Sequence, residues 1–343
     1  MSKPEKTVLA LDAHGGDQGL AVSVPGALAA LESDQGLEIH LVGNEGELTS
    51  ALEKVGSAAR ERLRIHPAAT VLAVDASPAD VLRRGRDSSL WKSFERVAAG
   101  QASACVSSGS TSAMMVSGVK LLGTLTGIQR PALMAYAPSL GGHTGLLDLG
   151  ANLRVSARQL VQFAVMGSVT AAEADGRDNP RVGLLNVGHE DSKGHDVVRE
   201  AHAILQDLPL NYVGFIEGHD IFGGTVDIAV CDGFSGNLVL KSSEGLARMF
   251  LQELRSAFNS NPASRLGGMM AAPSLRRMLA RLDPAAHNGA PLLGLNGVAV
   301  KSHGGTDVAG LTRAILEAGR EARRQVPRRI EASIHEYQLE TSA

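Results

Sequence analysis

Cysteine is scarce: the 343 residues hold two, Cys105 and Cys231, each closing an apolar run. Buried free thiols in a reducing compartment are therefore expected, rather than a disulfide or a nucleophile. Aromatic residues make up 3% of the chain against 39 glycines, which argues against a β-sandwich and for many tight strand-to-helix turns. Charge of one sign is also missing: with a net charge of −3 there is no global basic field for nucleic acid, and an acidic partner must meet a local patch. Nor is there a long apolar run at the start, where Met1-Ser2-Lys3-Pro4 leads into a strand-like segment at 7–11. The expectation is a cytoplasmic protein that is neither exported nor spans a bilayer.

What is present is one repeated local grammar. At 227–237 an apolar, β-branched run stops at Asp232-Gly233 and resumes as a long helical pattern, as a buried strand does when it delivers polar groups to a helix N-terminus. The same pattern recurs at 12–17, 106–111, 146–152, 184–193 and 298–306. Six such ends in one parallel sheet would converge on one edge and one site.

In chain order, the 12–17 turn offers backbone N–H groups at Gly15 and Gly16, flanked by Asp12 and Asp17, although it also reads as a plain turn with Asp17 as a cap. Its glycine spacing is not a dinucleotide fingerprint. Strand signals follow at 38–42 and 71–75, then a basic turn at 83–89 that faces phosphate or is merely solvated. Ser108, Gly109, Ser110 and Thr111 place small donors at a helix start, either for a phosphate-sized anion or for capping. Asn152 suits an oxyanion or a cap; Lys193, beside Asn186, is the basic group of the 188–194 turn. A helical pattern at 238–258, a loop and a second pattern at 269–282 form a protrusion at about 240–285 on one αβα domain spanning 1–343. In the second pattern Ser274 would cap a helix with Leu275, Met278, Leu279 and Leu282 along one stripe and Arg276, Arg277 and Arg281 largely outside it. Such a helix suits a bilayer interface, packing on the chain's own core or on another copy, or, with Arg248, Arg255 and Arg265, an acidic partner.

These blocks in this order resemble the bacterial phosphate acyltransferase family. The likeness runs through 12–17, 83–89, 107–111, 127–131, 146–152, 181–194, 232–244, 289–294 and 303–306; it departs at His14, where the family has Met, and at Ser110 and Ser112, where it has Asn and Gly. The resemblance implies an αβα fold with a mainly parallel, Rossmann-like sheet, as in isocitrate and isopropylmalate dehydrogenases and phosphotransacetylases. It implies a homodimer with no tightly bound cofactor and no metal, attached reversibly to the membrane surface. The implied reaction moves a fatty acyl group from acyl carrier protein (ACP) to inorganic phosphate, and the acyl-phosphate passes to a membrane glycerol-3-phosphate acyltransferase.

Phosphate is already nucleophilic near neutral pH, so positioning and charge stabilisation are the tasks left to the protein. Gly15, Gly16, Ser108, Gly109, Ser110, Thr111 and Lys193 are expected to hold phosphate, Asn152 and Asn237 to stabilise the oxyanion, and His303 to protonate the departing thiolate. Asp12, Asp17, Asn186, Asp232 and Lys241 are expected to support the site. A phosphotransacetylase using acyl-CoA and a dehydrogenase of the related fold are the alternatives.

Overall fold

The computed structural model describes residues 6–53, 55–56, 58–73, 76–282 and 288–339. Its strands are β1 (Thr7–Asp12), β2 (Leu37–Gly43), β3 (Leu63–Pro67), β4 (Ala104–Ser107), β5 (Ala132–Ser139), β6 (Gly142–Leu147), β7 (Val182–Leu185), β8 (Tyr212–Ile216), β9 (Ile228–Val230), β10 (Ala290–Leu293) and β11 (Val298–Lys301). They form one sheet in the order β3-β2-β1-β4-β11-β10-β5-β6-β9-β7-β8. The short apolar runs are central strands because both their faces are covered: every residue of β4 and β9 is buried.

Three layers result. On one face, Leu9, Leu41, Val106 and Val300 pack against helices Leu20–Ser33 and Val308–Arg324. On the other, Trp91, Phe94 and Met114, from helices Ser89–Ala98 and Thr111–Leu121, meet Cys105 and Ala299. A further core gathers Val182, Leu205 and Ile330 around Phe163 of helix Ala157–Glu173.

The sheet is mainly parallel, but its two halves run in opposite senses. β10 is antiparallel to both β11 and β5, and β5 is antiparallel to β6. The parallel set β3-β2-β1-β4-β11 therefore points one way and β6-β9-β7-β8 the other, which corrects the expectation of six strand ends on one edge of one parallel sheet. The reversal lies in the β5–β6 hairpin, where Ser139 pairs with Gly142 across the two-residue turn Leu140-Gly141. An apolar run identifies a strand without giving its direction.

Two element boundaries also differ from the sequence reading. The strand expected at 71–75 is absent from 71–73, while 74–75 lie outside the described residues; the third strand is β3. As an edge strand it alternates Leu63 and Ile65 with Arg64 and His66, a weaker apolar signal than that of its neighbours. The protrusion is a hairpin of helices Gly233–Asn259 and Pro262–Leu282, and the second begins well before Met269, at Pro262. Asn261 caps it, its Oδ1 accepting from Ser264 N at 2.8 Å, and Pro262 follows at a helix start that needs no N–H. Ser274 is therefore inside a helix, after Pro273, and not a cap.

Candidate active site

Three adjacent parallel strands end level with one another. Leu11 of β1 registers with Val106 of β4, and Lys301 of β11 with Ser107. Because registered residues of parallel strands share a face, Asp12, Ser107 and Lys301 form a row across the sheet edge. Ser107 joins the row to the turn above it: its hydroxyl donates to Asp12 Oδ2 at 2.6 Å and accepts from Gly109 N at 2.9 Å. Asp12 is buried, and burial pushes its carboxyl above the usual range against the opposing effect of the Ser107 hydrogen bond. Its Oδ1 has no hydrogen-bond partner.

Glycine lets the turns close on this row. A Cβ on Gly15 would stand 2.7 Å from Asp12 Oδ2 and 3.0 Å from both Gly109 N and Ser107 Oγ. Gly16 has φ +84 and faces Ser108 Cβ and the Gly304 carbonyl, while Asp17 N donates to that same carbonyl at 2.9 Å. The 12–17, 107–111 and 303–306 turns are thus brought together, with Gly15, Ser108, Gly304 and Thr306 lining one small cleft. Ser110 ends the extended backbone before helix Thr111–Leu121 and makes no side-chain cap, so the first helical N–H groups are not occupied by it.

The third turn is braced by Asn288. Its Nδ2 donates to Ser302 Oγ at 2.8 Å and Thr306 Oγ1 at 3.0 Å, and its Oδ1 accepts from His303 N at 3.2 Å. Gly305 N donates to His303 Nδ1 at 3.1 Å, so the neutral ring carries its proton on Nε2. The His303 ring itself is exposed.

A second cluster lies at the ends of β6 and β9. Asp148, fully buried, accepts at Oδ1 from Leu133 N at 2.9 Å and at Oδ2 from Asn152 N at 2.6 Å. Asn152 Nδ2 donates to Pro131 O at 2.8 Å and to Asp148 Oδ2 at 3.1 Å, so both amide hydrogens are spent on bracing this loop. Asp232 caps helix Gly233–Asn259, accepting from Ser235 N at 2.9 Å. The helix start sits hard on the loop: a Cβ on Gly236 would lie 2.0 Å from Asp148 O. Asn237 is exposed on the first turns, against Gly150.

The same helix links the two clusters. Val239 and Leu240 join the core that contains Cys105 and Ala299, and Lys241, ion-paired with Glu244 at 3.2 Å, comes within electrostatic range of Lys301. Lys193 stands apart and exposed; Asn186 Nδ2 donates to its carbonyl at 3.2 Å. Among the described residues no hydrogen bond or ion pair ties Lys193 to the Asp12–Ser107 row. Cys105 and Cys231 are buried free thiols, and burial raises both well away from the thiolate range.

Lys301 and Asn288 are the members that sequence reading passed over. Lys301 is the first polar residue after Val298-Ala299-Val300, the position held by Asp12 in β1 and Ser107 in β4, and only the strand register shows that the three are neighbours.

The fold is shared with a phosphotransacetylase from Streptococcus pyogenes (TM-score 0.62, 20% identity, 93% of this chain and 94% of that one). It is also shared with a 4-hydroxythreonine-4-phosphate dehydrogenase from Salmonella typhimurium (TM-score 0.52, 13% identity, 92% and 99%). Sequence relatives are much nearer: phosphate acyltransferases of Alkalilimnicola ehrlichii, 48% identical over 95% of this chain and 96% of its own, and of Methylococcus capsulatus, 45% identical over 94% and 96%. The family described as fatty acid synthesis protein matches residues 7–329. With the match running from β1 to the last helix, this chain belongs to the phosphate acyltransferases of that family.

Proposed function

We propose that the protein transfers a fatty acyl group from acyl-ACP to inorganic phosphate. A phosphate oxygen attacks the thioester carbonyl carbon, the C–S bond breaks, and acyl-phosphate and the ACP thiol leave. The observation that carries this reading is the cradle formed by the 12–17, 107–111 and 303–306 turns around the Asp12–Ser107–Gly109 hydrogen bonds. It offers backbone donors at the start of helix Thr111–Leu121, which Ser110 leaves without a side-chain cap, and this suits a tetrahedral anion. With both thiols buried and protonated, no cysteine is poised to relay the acyl group, and phosphate serves as its own nucleophile.

Gly15, Gly16, Ser108, Gly109, Ser110 and Thr111 hold the phosphate, and Asp17 fixes the first turn to the third. Asn237 is the donor to the developing oxyanion; Asn152 acts behind it by holding the loop of Gly150. The Nε2–H of His303 hydrogen-bonds the departing sulfur, whose thiolate, with a pKa near the ~8.5 of a free thiol, takes its proton from solvent. A dimer through the first arm of the hairpin and reversible attachment to the membrane surface place the product near its consumer, a glycerol-3-phosphate acyltransferase in the bilayer.

The test is to supply acyl-ACP and acyl-CoA separately, each with phosphate, and to trap acyl-phosphate as the hydroxamate. Hydroxamate from acyl-ACP at the higher kcat/KM supports the reading. Faster formation from acyl-CoA transfers the assignment to a phosphotransacetylase-like activity.

A further inference from the structure

We propose that Lys301 is the cation that takes the inorganic phosphate in the three-turn cradle. This rests on the reading of the three-turn cradle as a phosphate site. Lys301 rises from the strand next to Ser107, so its side chain emerges inside the row and not from a surface loop. Its ammonium donates to the Ser108 carbonyl at 3.5 Å and to the Ser302 carbonyl, the first of which belongs to the turn that carries Gly109 and Ser110. An ammonium has three donors, and these two contacts leave one.

Charge is what makes the lysine informative. Among the described residues no carboxylate lies within ion-pair distance of Lys301, although the side chain is half-buried. A cation drawn from water without a counter-ion is costly, and a dianion in the cradle would remove that cost. The other basic candidates are otherwise engaged or displaced: Lys241 is held by Glu244, and among the described residues no hydrogen bond or ion pair joins Lys193 to the row. The charged groups within reach of Lys301 are Asp12 on β1, Asp17 on the first turn and Lys241 on the long helix. Burial brings its ammonium down to about 8, aided by Lys241 and opposed by Asp17 and Asp12.

The consequence has a definite sign. The protonated lysine binds phosphate, so the lysine's contribution to phosphate affinity is full below about pH 8 and weakens as the pH rises through that value. Arginine keeps its charge throughout that range.

The experiment measures KM for phosphate and for the acyl thioester across pH in wild type, Lys301→Met and Lys301→Arg, with thermal melts to report folding. Lys301→Met is expected to raise the phosphate KM by roughly 10- to 100-fold, the scale of one charged hydrogen bond, with little change in the thioester KM. Lys301→Arg is expected to bind phosphate and to lose the alkaline rise in phosphate KM. A phosphate KM within about twofold of wild type in Lys301→Met, or the same alkaline limb in Lys301→Arg, overturns the proposal. Should Lys301→Met fail to fold, the arginine profile decides. A wild-type enzyme that needs no phosphate sinks the functional reading instead, a separate result.

Discussion

Gly15 is the residue at which the cradle is least forgiving. A methyl group there meets Asp12 Oδ2 at 2.7 Å, with Gly109 N and Ser107 Oγ both at 3.0 Å, and all three atoms belong to the backbone or to a hydrogen bond. Gly15→Ala must therefore push the first turn from the second, at a cost of about 1–3 kcal/mol of local overpacking. The expected outcome is a large rise in phosphate KM with a modest fall in melting temperature; unchanged phosphate kinetics would show that the two turns do not jointly hold the anion. Sequence made the turn residues legible, because Gly15, Gly16 and Ser108–Thr111 advertise donors wherever they sit. Lys301 and Asn288 were not legible, since a lysine after an apolar run and an asparagine in a loop become site residues only through strand register and a brace across 14 and 18 residues.

At the scale of elements, the hairpin stands out because its own chain does not cover it. Its first arm has 27 residues, roughly 40 Å at about 1.5 Å per residue, and only Gly233 and Gly236 of it are buried. Leu246, Met249 and Phe250 on this arm and Leu266, Met269 and Met270 on the other are exposed, Met270 at 77%. The stripe singled out from periodicity is less open: Leu275, Met278 and Leu279 are half-buried and Arg276 and Arg277 exposed, while the side chains of Arg281 and Leu282 lie outside the described residues. The exposed apolar surface of the second arm thus sits nearer the turn, at 266–270. If the proposed membrane attachment holds, Met270→Glu is expected to weaken binding to anionic vesicles several-fold in a flotation assay while leaving oligomeric state and soluble turnover intact. Undiminished vesicle binding, or a change in oligomeric state, would assign this patch to protein contact instead. The hairpin's existence was legible from its helical period; its second start was not, because the Asn261-Pro262 signal was read as loop.

At the scale of the whole molecule, the two halves of the sheet oppose each other, and helix Gly233–Asn259 carries Asn237 and Lys241 from the β9 end toward the β11 end. The layered class and the parallel runs were readable from alternating apolar segments and glycine turns. Strand direction was not, since it is set by the β5–β6 hairpin and by β10, four residues long.

Global stability should show an acid limb that reports on β2. Burial first, then the Arg96 guanidinium, whose Nε donates to His40 Nδ1 at 3.0 Å, lowers His40 to about 4. The unfolded imidazole titrates near 6.5, so its contribution is complete above that pH and is lost as pH falls through about 4. His40→Asn, whose amide oxygen can still accept from Arg96, should flatten urea-unfolding stability between these values; an unchanged slope would contradict the assignment.

Direct attack of phosphate on the thioester is tested by mixing enzyme in excess with acyl-ACP in phosphate-free buffer, following free thiol, and then adding phosphate. No thiol is expected until phosphate arrives, followed by release matched by acyl-phosphate. A stoichiometric burst of thiol before phosphate is added would demonstrate an acyl-enzyme and contradict direct attack.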